Sequence, residues 1–433
     1  MAHDTHWAHR ILFVLLVIYV VATFIHFIVP CSTWKNSFDY LRQIVVVEGN
    51  KTSKSSQTKS MKPEKQLDVC SRLIEGDLAE VQRSVNRSRR QPRRVKLLET
   101  YPSYTEDCSA YVNEMGFITN GVSGEEKEFP IAFTILAYKH AEQVERLLRA
   151  VYRPHNVYCV HVDSKAPALF KDAIRSIVKC LPNVFLAPRS INVVWGTYSV
   201  LEPELLCMDR LLKHRVRWKY LINLTGQEFP LRTNRELVTI LQIYRGANDI
   251  SGGYKRANTH RWKNIDQVPH GIVPRKGSVH IAASRGYVQY VRSNKTAMDF
   301  LDWVKKTKVP DETFFATFNY NPHLKVPGSY KGEVDDGKRV YLTRYKVWLA
   351  LKDVECHSAK YVREVCIFGI GDLHTLTTVP HLFANKFHWE FQPLVLDCLE
   401  KWYFDKVSAE KRGIFTFNTT IYEQRHFIKN AFI

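Results

Sequence analysis

The sequence predicts an α/β fold built on a mostly parallel central sheet with helices on both faces. Continuous apolar runs, FPIAFTILAY from Phe129 and VYCVHVD from Val157, read as strands buried on both sides. Between them AEQVERLLRAVYRPHN places Val144, Leu147, Leu148 and Val151 at helical spacing, so the three segments make one βαβ unit with a right-handed crossover. Strand signals recur at NVFLAP and WKYLINLTG around a helical stretch through residues 201–214. Roughly 300 residues in this style make one large domain.

Ahead of that domain the chain has a different character. Residues 11–29 (ILFVLLVIYVVATFIHFIV) carry no charge and match the length a helix needs to cross roughly 30 Å of hydrocarbon. A cleaved signal peptide is the alternative, but the run exceeds the roughly 7–15 residues of a signal h-region, and no small-x-small site precedes Pro30 and Cys31. The expected layout is a cytoplasmic tail at 1–10, a transmembrane anchor at 11–29, a polar stem at 30–116 and a lumenal globular domain at 117–433. The charge bias around the anchor is weak, so orientation rests on other features. Eight of the nine cysteines lie well beyond the membrane without CxxC spacing, as in an oxidising compartment. Five Asn-x-Ser/Thr sequons, at Asn50, Asn86, Asn223, Asn294 and Asn418, also follow the anchor.

The formal charge of +19 invites a nucleic-acid partner. Much of the excess, however, sits in residues 83–96 (RSVNRSRRQPRRVK), seven basic residues with no acid, which reads as a solvated spacer. No nucleic acid is expected; the remaining basicity suits a small polyanion such as a nucleotide diphosphate.

In an open α/β sheet ligands sit beyond the C-terminal ends of the strands, where Asp163 and the GQEFP segment at 226–230 fall. The later half alternates strands (SVHIAAS, REVCIFGI) with helices, and no internal repeat occurs. Three elements there and earlier could carry chemistry. Asp311 and Glu312 follow Pro310, where they could equally be residues of a helix start. Arg363 and Lys386 form a basic pair, each also explicable as a surface charge. Asp163 ends a strand, where Asp often caps a turn. No Asp-x-Asp occurs, although Asp335 and Asp336 are adjacent, and no histidine cluster has ligand spacing, so no metal is expected. With no GxSxG elbow and no P-loop, hydrolase and kinase readings weaken. The residues alone describe a lumenal α/β enzyme that uses a nucleotide.

The segments FPIAFTILAYKH, LLRAVYRPHNVYCVHVD, WKYLINLTGQEFPLRTN, VPDETFFATF, VREVCIFGIGDL and HLFANKF together resemble the core 2 and I-branching β1,6-N-acetylglucosaminyltransferases over nearly the whole lumenal domain. The resemblance implies a GT-A-like fold, a Golgi type II membrane protein, UDP-GlcNAc as donor, a glycoprotein glycan as acceptor, and inversion through attack by a 6-hydroxyl of galactose or GalNAc. It implies Glu312 as catalytic base, Arg363 and Lys386 on the diphosphate in place of a metal, and Asp163, Leu136 and Trp195 around the nucleotide, the last where the family usually has Tyr. Arg261 and Trp348 match sugar-contacting positions, and a homodimer is an assembly the resemblance leaves open.

Family pairing implies disulfides Cys70–Cys398, Cys108–Cys180, Cys159–Cys207 and Cys356–Cys366, with Cys31 left over. Departures concentrate on the acceptor side: a family Glu and Lys fall near Ile250 and Asn258, and a Tyr becomes Ala350. Phe314-Phe315 after the catalytic motif is a further departure. Thr225, where the family often has Cys, creates the Asn223 sequon inside an expected core strand, so Asn223 is expected to stay unmodified. Two rival readings follow, a catalytically silent glycan-binding protein and a related transferase using another UDP-sugar such as UDP-xylose.

Overall fold

The computed structural model describes residues 63–433 except 91–95, 256, 264, 336–340 and 352. The expected tail and anchor, Cys31 and the Asn50 sequon lie outside these residues. Among the described residues no helix is long and apolar enough to cross a membrane.

Eleven strands follow one another among the described residues: β1 (Ile131–Ala137), β2 (Val157–Val162), β3 (Val184–Leu186), β4 (Tyr220–Thr225), β5 (Glu228–Pro230), β6 (Asp249–Gly253), β7 (Lys276–Ser284), β8 (Arg344–Tyr345), β9 (Tyr361–Val362), β10 (Val365–Cys366) and β11 (Phe383–Asn385). The main sheet has the order β3-β2-β1-β4-β7-β6. Its first four strands run parallel, β7 pairs antiparallel with β4, and β6 pairs antiparallel with β7.

The apolar runs of β1 and β2 lack a polar face because both sides of the sheet are covered. Ile131, Phe133 and Ile135 join one apolar core with the helices Ala141–Val151, Ala168–Lys179 and Asn234–Tyr244. Ala132 joins a second with the helices Glu202–Leu212, Arg285–Ser293 and Lys295–Val304. Thr134, a polar residue inside β1, donates its hydroxyl to buried Glu204 at 2.5 Å. A third core underlies a small sheet of order β5-β11-β8 and includes Phe229, Phe387, Trp389 and Leu399.

This third core also takes in Val69, Cys70 and Leu73 from the helix Pro63–Glu75. The compact unit therefore runs from Lys62 to Ile433, and residues 63–116, expected as stem, fold with it. The polar composition of that segment hid the few apolar side chains that dock. The basic stretch at 83–96, expected as a solvated spacer, is helical as far as Arg90, where Arg72 and Arg83 pair with buried Glu80 at 2.7 and 2.9 Å. The expected REVCIFGI strand is cut to β10, because the Asp372 carboxylate turns back to accept the Gly369 N–H at 2.7 Å and starts the short helix Ile370–Asp372.

All four expected disulfides are present, Cys70–Cys398, Cys108–Cys180, Cys159–Cys207 and Cys356–Cys366. The first spans 328 residues and fastens the N-terminal helix to the helix Leu394–Lys411. Replacing both of its cysteines by Ser should lower unfolding stability by about 2–5 kcal/mol, read by denaturant titration of the oxidised protein. An unchanged midpoint would mean the N-terminal helix adds nothing to the fold.

Asn223 is buried, its Nδ2 donating to the Val279 carbonyl at 2.8 Å and its Oδ1 accepting from Ile281 N–H at 2.7 Å, whereas Asn86 and Asn418 are exposed and Asn294 partly so. Glycan mapping of protein from a secretory host should find Asn223 unmodified; a glycan there is incompatible with its place in β4.

Candidate active site

Pro310 opens the helix Asp311–Asn319, with Asp311 and Glu312 in its first turn where the helix dipole favours acids. Asp311 is buried, its Oδ1 has no hydrogen-bond partner, and burial reinforced by the Glu312 charge pushes it up to about 7. Glu312 is partly exposed and accepts from Arg261 Nη1 at 2.6 Å, with Lys276 Nζ at 3.9 Å from the same oxygen. The helix can lie close on β6 and β7 because Gly277 has no side chain: a Cβ there would meet the Ser251 carbonyl at 2.0 Å and the Ala316 Cβ at 2.5 Å.

Glu312 faces a cavity of about 840 Å³ that Trp348, Tyr341, Lys276 and Lys346 also line. That volume lies within the roughly 300–1,000 Å³ of small-ligand sites. Arg261 is held beside Glu312 by the turn Thr259–Trp262, whose Trp262 indole donates to Thr313 Oγ1 at 3.2 Å. At the divergent acceptor positions, Ile250 is buried within β6 while Asn258 and Ala350 are exposed. Asp335 lines the same cavity, and Asp336 is outside the described residues.

The expected nucleotide-side residues fall around the C-terminal ends of the parallel strands. Leu136 lies near the end of β1, and Asp163 follows β2 with its N–H donating to the Ala137 carbonyl at 3.0 Å. Asp163 is also a turn cap, since its Oδ1 accepts from Lys165 N–H at 2.8 Å. Trp195 is 70% exposed. The carbonyl of its neighbour Gly196 accepts from Val309 N–H at 2.9 Å, which sets this loop against the segment leading into Glu312.

Arg363 and Glu364 are the two central residues of the tight turn joining β9 to β10, with φ of +51° and +62°. A type I′ turn requires such values, yet both residues carry side chains that disfavour them. The Cys356–Cys366 bridge and pairing with the next segment hold the turn in place: Leu349 N–H donates to the Glu364 carbonyl, and Cys366 N–H to that of Val347, each at 2.9 Å. Strain of this kind, held by its surroundings, is common at functional sites.

Lys386 follows β11, and its carbonyl accepts from Phe368 N–H at 3.1 Å. Burial, then the charges of Arg363 and Lys139, hold the Lys386 ammonium below the usual lysine range. Burial and the charges of Lys139, Lys386 and Lys360 push neighbouring His388 down to about 4. Among the described residues none of these four cations has a carboxylate within 4 Å. Positive charge is therefore gathered beside the cavity without internal compensation, as an anion site requires.

A buried ion pair, its arginine lining the cavity, links two strands of the small sheet, β5 and β8. Arg344 Nε meets Glu228 Oε2 at 2.8 Å with both side chains 0% exposed, and Arg344 Nη2 reaches the Asn223 carbonyl. Asn385 Nδ2 donates to the other Glu228 oxygen at 2.9 Å and Thr225 Oγ1 to the same atom at 3.2 Å. Lys346, two residues on from Arg344, is pushed down to about 8 by burial and the charges of Arg344 and Lys386, against the pull of Glu228 and Glu312.

Lys139 and Lys346 are absent from the sequence-based site. Arg344, Tyr345, Lys346 and Trp348 all line the cavity while Val347 is buried in the third core, so the basic and aromatic run leading up to Trp348 is the signal that could have found Lys346.

Fold and site together define an α/β enzyme in which a carboxylate faces a polar cavity with a cluster of cations alongside. The chain matches the family model described as Core-2/I-Branching enzyme over residues 131–377. It is 35% identical over 366 residues to the "Beta-1,3-galactosyl-O-glycosyl-glycoprotein beta-1,6-N-acetylglucosaminyltransferase 3" of Ovis aries, covering 78% of this chain and 83% of the sheep protein. Identity to the protein of Bovine herpesvirus 4 with the same name, lacking the final numeral, is 35% over 366 residues with the same coverage. The corresponding Bos taurus protein is 34% identical over 363 residues, 77% of this chain and 84% of its own length. The chain belongs to the Core-2/I-Branching enzyme family of glycosyltransferases.

Arg344→Met strands a buried Glu228 charge and should cost about 3–5 kcal/mol of stability in denaturant titrations. Glu228→Gln combined with Arg344→Met should cost much less than the two single changes summed. Additive losses would show that the two residues do not act as a pair.

Proposed function

We propose that this chain transfers GlcNAc from UDP-GlcNAc, in β1,6 linkage and with inversion, to a galactose or GalNAc of O-linked or related glycans. The reading rests on one observation: a carboxylate, Glu312, and an aromatic platform, Trp348, share a cavity flanked by the uncompensated cations Arg363 and Lys386. The names of the relatives, β1,6-N-acetylglucosaminyltransferases, supply the sugar and the linkage.

In this mechanism the acceptor sugar stacks on Trp348 with its 6-hydroxyl toward Glu312. The carboxylate takes the hydroxyl proton as the oxygen attacks C1 of GlcNAc from the face opposite UDP, so the new bond is β. As the C1–oxygen bond to UDP breaks, negative charge grows on the diphosphate, where the Arg363 guanidinium and Lys386 ammonium stabilise it without a metal. Arg261, already 2.6 Å from Glu312, keeps the carboxylate oriented and bonds the acceptor sugar. Leu136, Asp163 and Trp195 hold the uridine. Residues 11–29 anchor the chain as a single-pass type II protein of the Golgi membrane, with the catalytic unit in the lumen, and a homodimer is compatible with this placement.

The divergence at Ile250, Asn258 and Ala350 keeps a second reading open, a glycan-binding protein that has lost transfer, or a transferase of another sugar such as xylose from UDP-xylose. Assays of UDP-sugar turnover separate these. Glu312→Gln should lower the GlcNAc transfer rate at least about a hundredfold, the scale of general-base catalysis. An unchanged rate removes Glu312 from the mechanism. Arg363→Ala should abolish transfer, and turnover of UDP-xylose without UDP-GlcNAc would overturn the choice of donor.

A further inference from the structure

The charges inside the acceptor cavity do not balance. Lys255, Lys276 and Lys346 line it, and Arg261 borders it, against the carboxylates Glu312 and Asp335. Arg344 also lines it but is neutralised by Glu228 behind it. Of the two cavity carboxylates, Glu312 is already taken by Arg261 at 2.6 Å, which leaves Lys276 at 3.9 Å from the same oxygen. Asp335 spends Oδ2 on the backbone N–H groups of Tyr254 at 2.7 Å and Lys255 at 3.1 Å.

Lys346 is the sharpest case. It is only partly exposed, and among the described residues no carboxylate lies within 4 Å of its ammonium. Its aromatic neighbour is Trp348, whose ring centre is 5.4 Å away. An ammonium withdrawn from water without a counter-ion is unfavourable, and a neutral acceptor closing over the cavity would remove still more water from it. The same lysine lines the cavity with Glu312 and feels the charges of both Glu312 and Lys386. An anion there would compensate Lys346 while leaving Glu312 free to take a proton.

We propose that the acceptor glycan carries an acidic group, a carboxylate or a sulfate ester, held by Lys346 with Lys276 next to the sugar that stacks on Trp348. This rests on the assignment of the cavity to the acceptor, and it extends that assignment to a substrate class. Altered acceptor positions at Ile250, Asn258 and Ala350 fit it, since an enzyme that recognises its acceptor through a charge has less need of the hydroxyl contacts made at those places.

The test uses the full-length chain and matched O-glycans that differ only in bearing no acid, a carboxylate-bearing sugar or a sulfate. Binding is followed by calorimetry, and GlcNAc transfer from UDP-GlcNAc is assayed in parallel. One acidic member should bind about tenfold or more tighter than its neutral match, the scale of a charge-assisted contact. Lys346→Met should bring that ratio to within about threefold, while Lys346→Arg, which keeps the charge, should retain it. The arm that binds identifies carboxylate or sulfate. Equal binding across the set, or a preference that survives Lys346→Met, overturns the proposal. Transfer to neutral glycans with no acidic preference rejects this inference and keeps the transferase reading; a Lys346-dependent acidic preference with no transfer does the reverse.

Discussion

The Glu228–Arg344 pair is the interaction on which the site depends. It lies wholly out of water, where two opposite charges stay favourable only if their remaining hydrogen-bonding capacity is met. Here it is met on every side, by Thr225, Asn385 and the carbonyls of Asn223 and Thr343. The pair itself spans β5 and β8, and its partners lie in β4, in β11 and just before β8, so these contacts lock the small sheet against the main one. The residue after Asn385 is Lys386, and the residues after Arg344 include Lys346 and Trp348. The pair thus fixes the roots of the side chains that face the cavity and the anion site.

From that root the charges separate into two regions. On one side Arg363, Lys386, Lys139 and Lys360 gather with no carboxylate within 4 Å among the described residues; on the other Glu312 is a partly exposed acid beside Asp311, whose burial pushes it up to about 7. A displacement that creates a negative leaving group at one end and releases a proton at the other needs this polarity, and fixed side chains supply it without reorganising as the bond breaks.

Much of the fold was legible in the sequence. β1, β2 and β4 could be read from apolar runs, because strands covered on both faces leave that signature, and the helix at 141–151 from its spacing. The implied Cys70–Cys398 bridge tied the segment 63–116 to the domain, but its packing was not legible, since the side chains it buries, Val69, Leu73, Tyr101 and Tyr111 among them, meet partners distant in sequence. The short strands β8, β9 and β11 were also invisible, since two or three residues give no pattern, whereas β10 was expected as part of a longer strand. In the site, Glu312, Arg363 and Lys386 were reached through family motifs, and the structure puts them around adjoining surfaces. Lys346 and Lys139 escaped because an isolated lysine reads as a surface charge until its neighbours are known. Asn223 shows the opposite case, a glycosylation signal whose burial could be anticipated from the strand around it.

Metal-free inversion at the sugar's C1 is the chemistry that Glu312, Arg363 and Lys386 are proposed to perform. The direct measurement is NMR of the product formed from UDP-GlcNAc by the full-length chain after exhaustive treatment with EDTA. A β-anomeric GlcNAc on C6 of the acceptor sugar, formed at an undiminished rate, is the outcome predicted for attack assisted by Glu312 with Arg363 and Lys386 on the diphosphate. An α-linked product, or transfer that returns only when manganese is added, is incompatible with it.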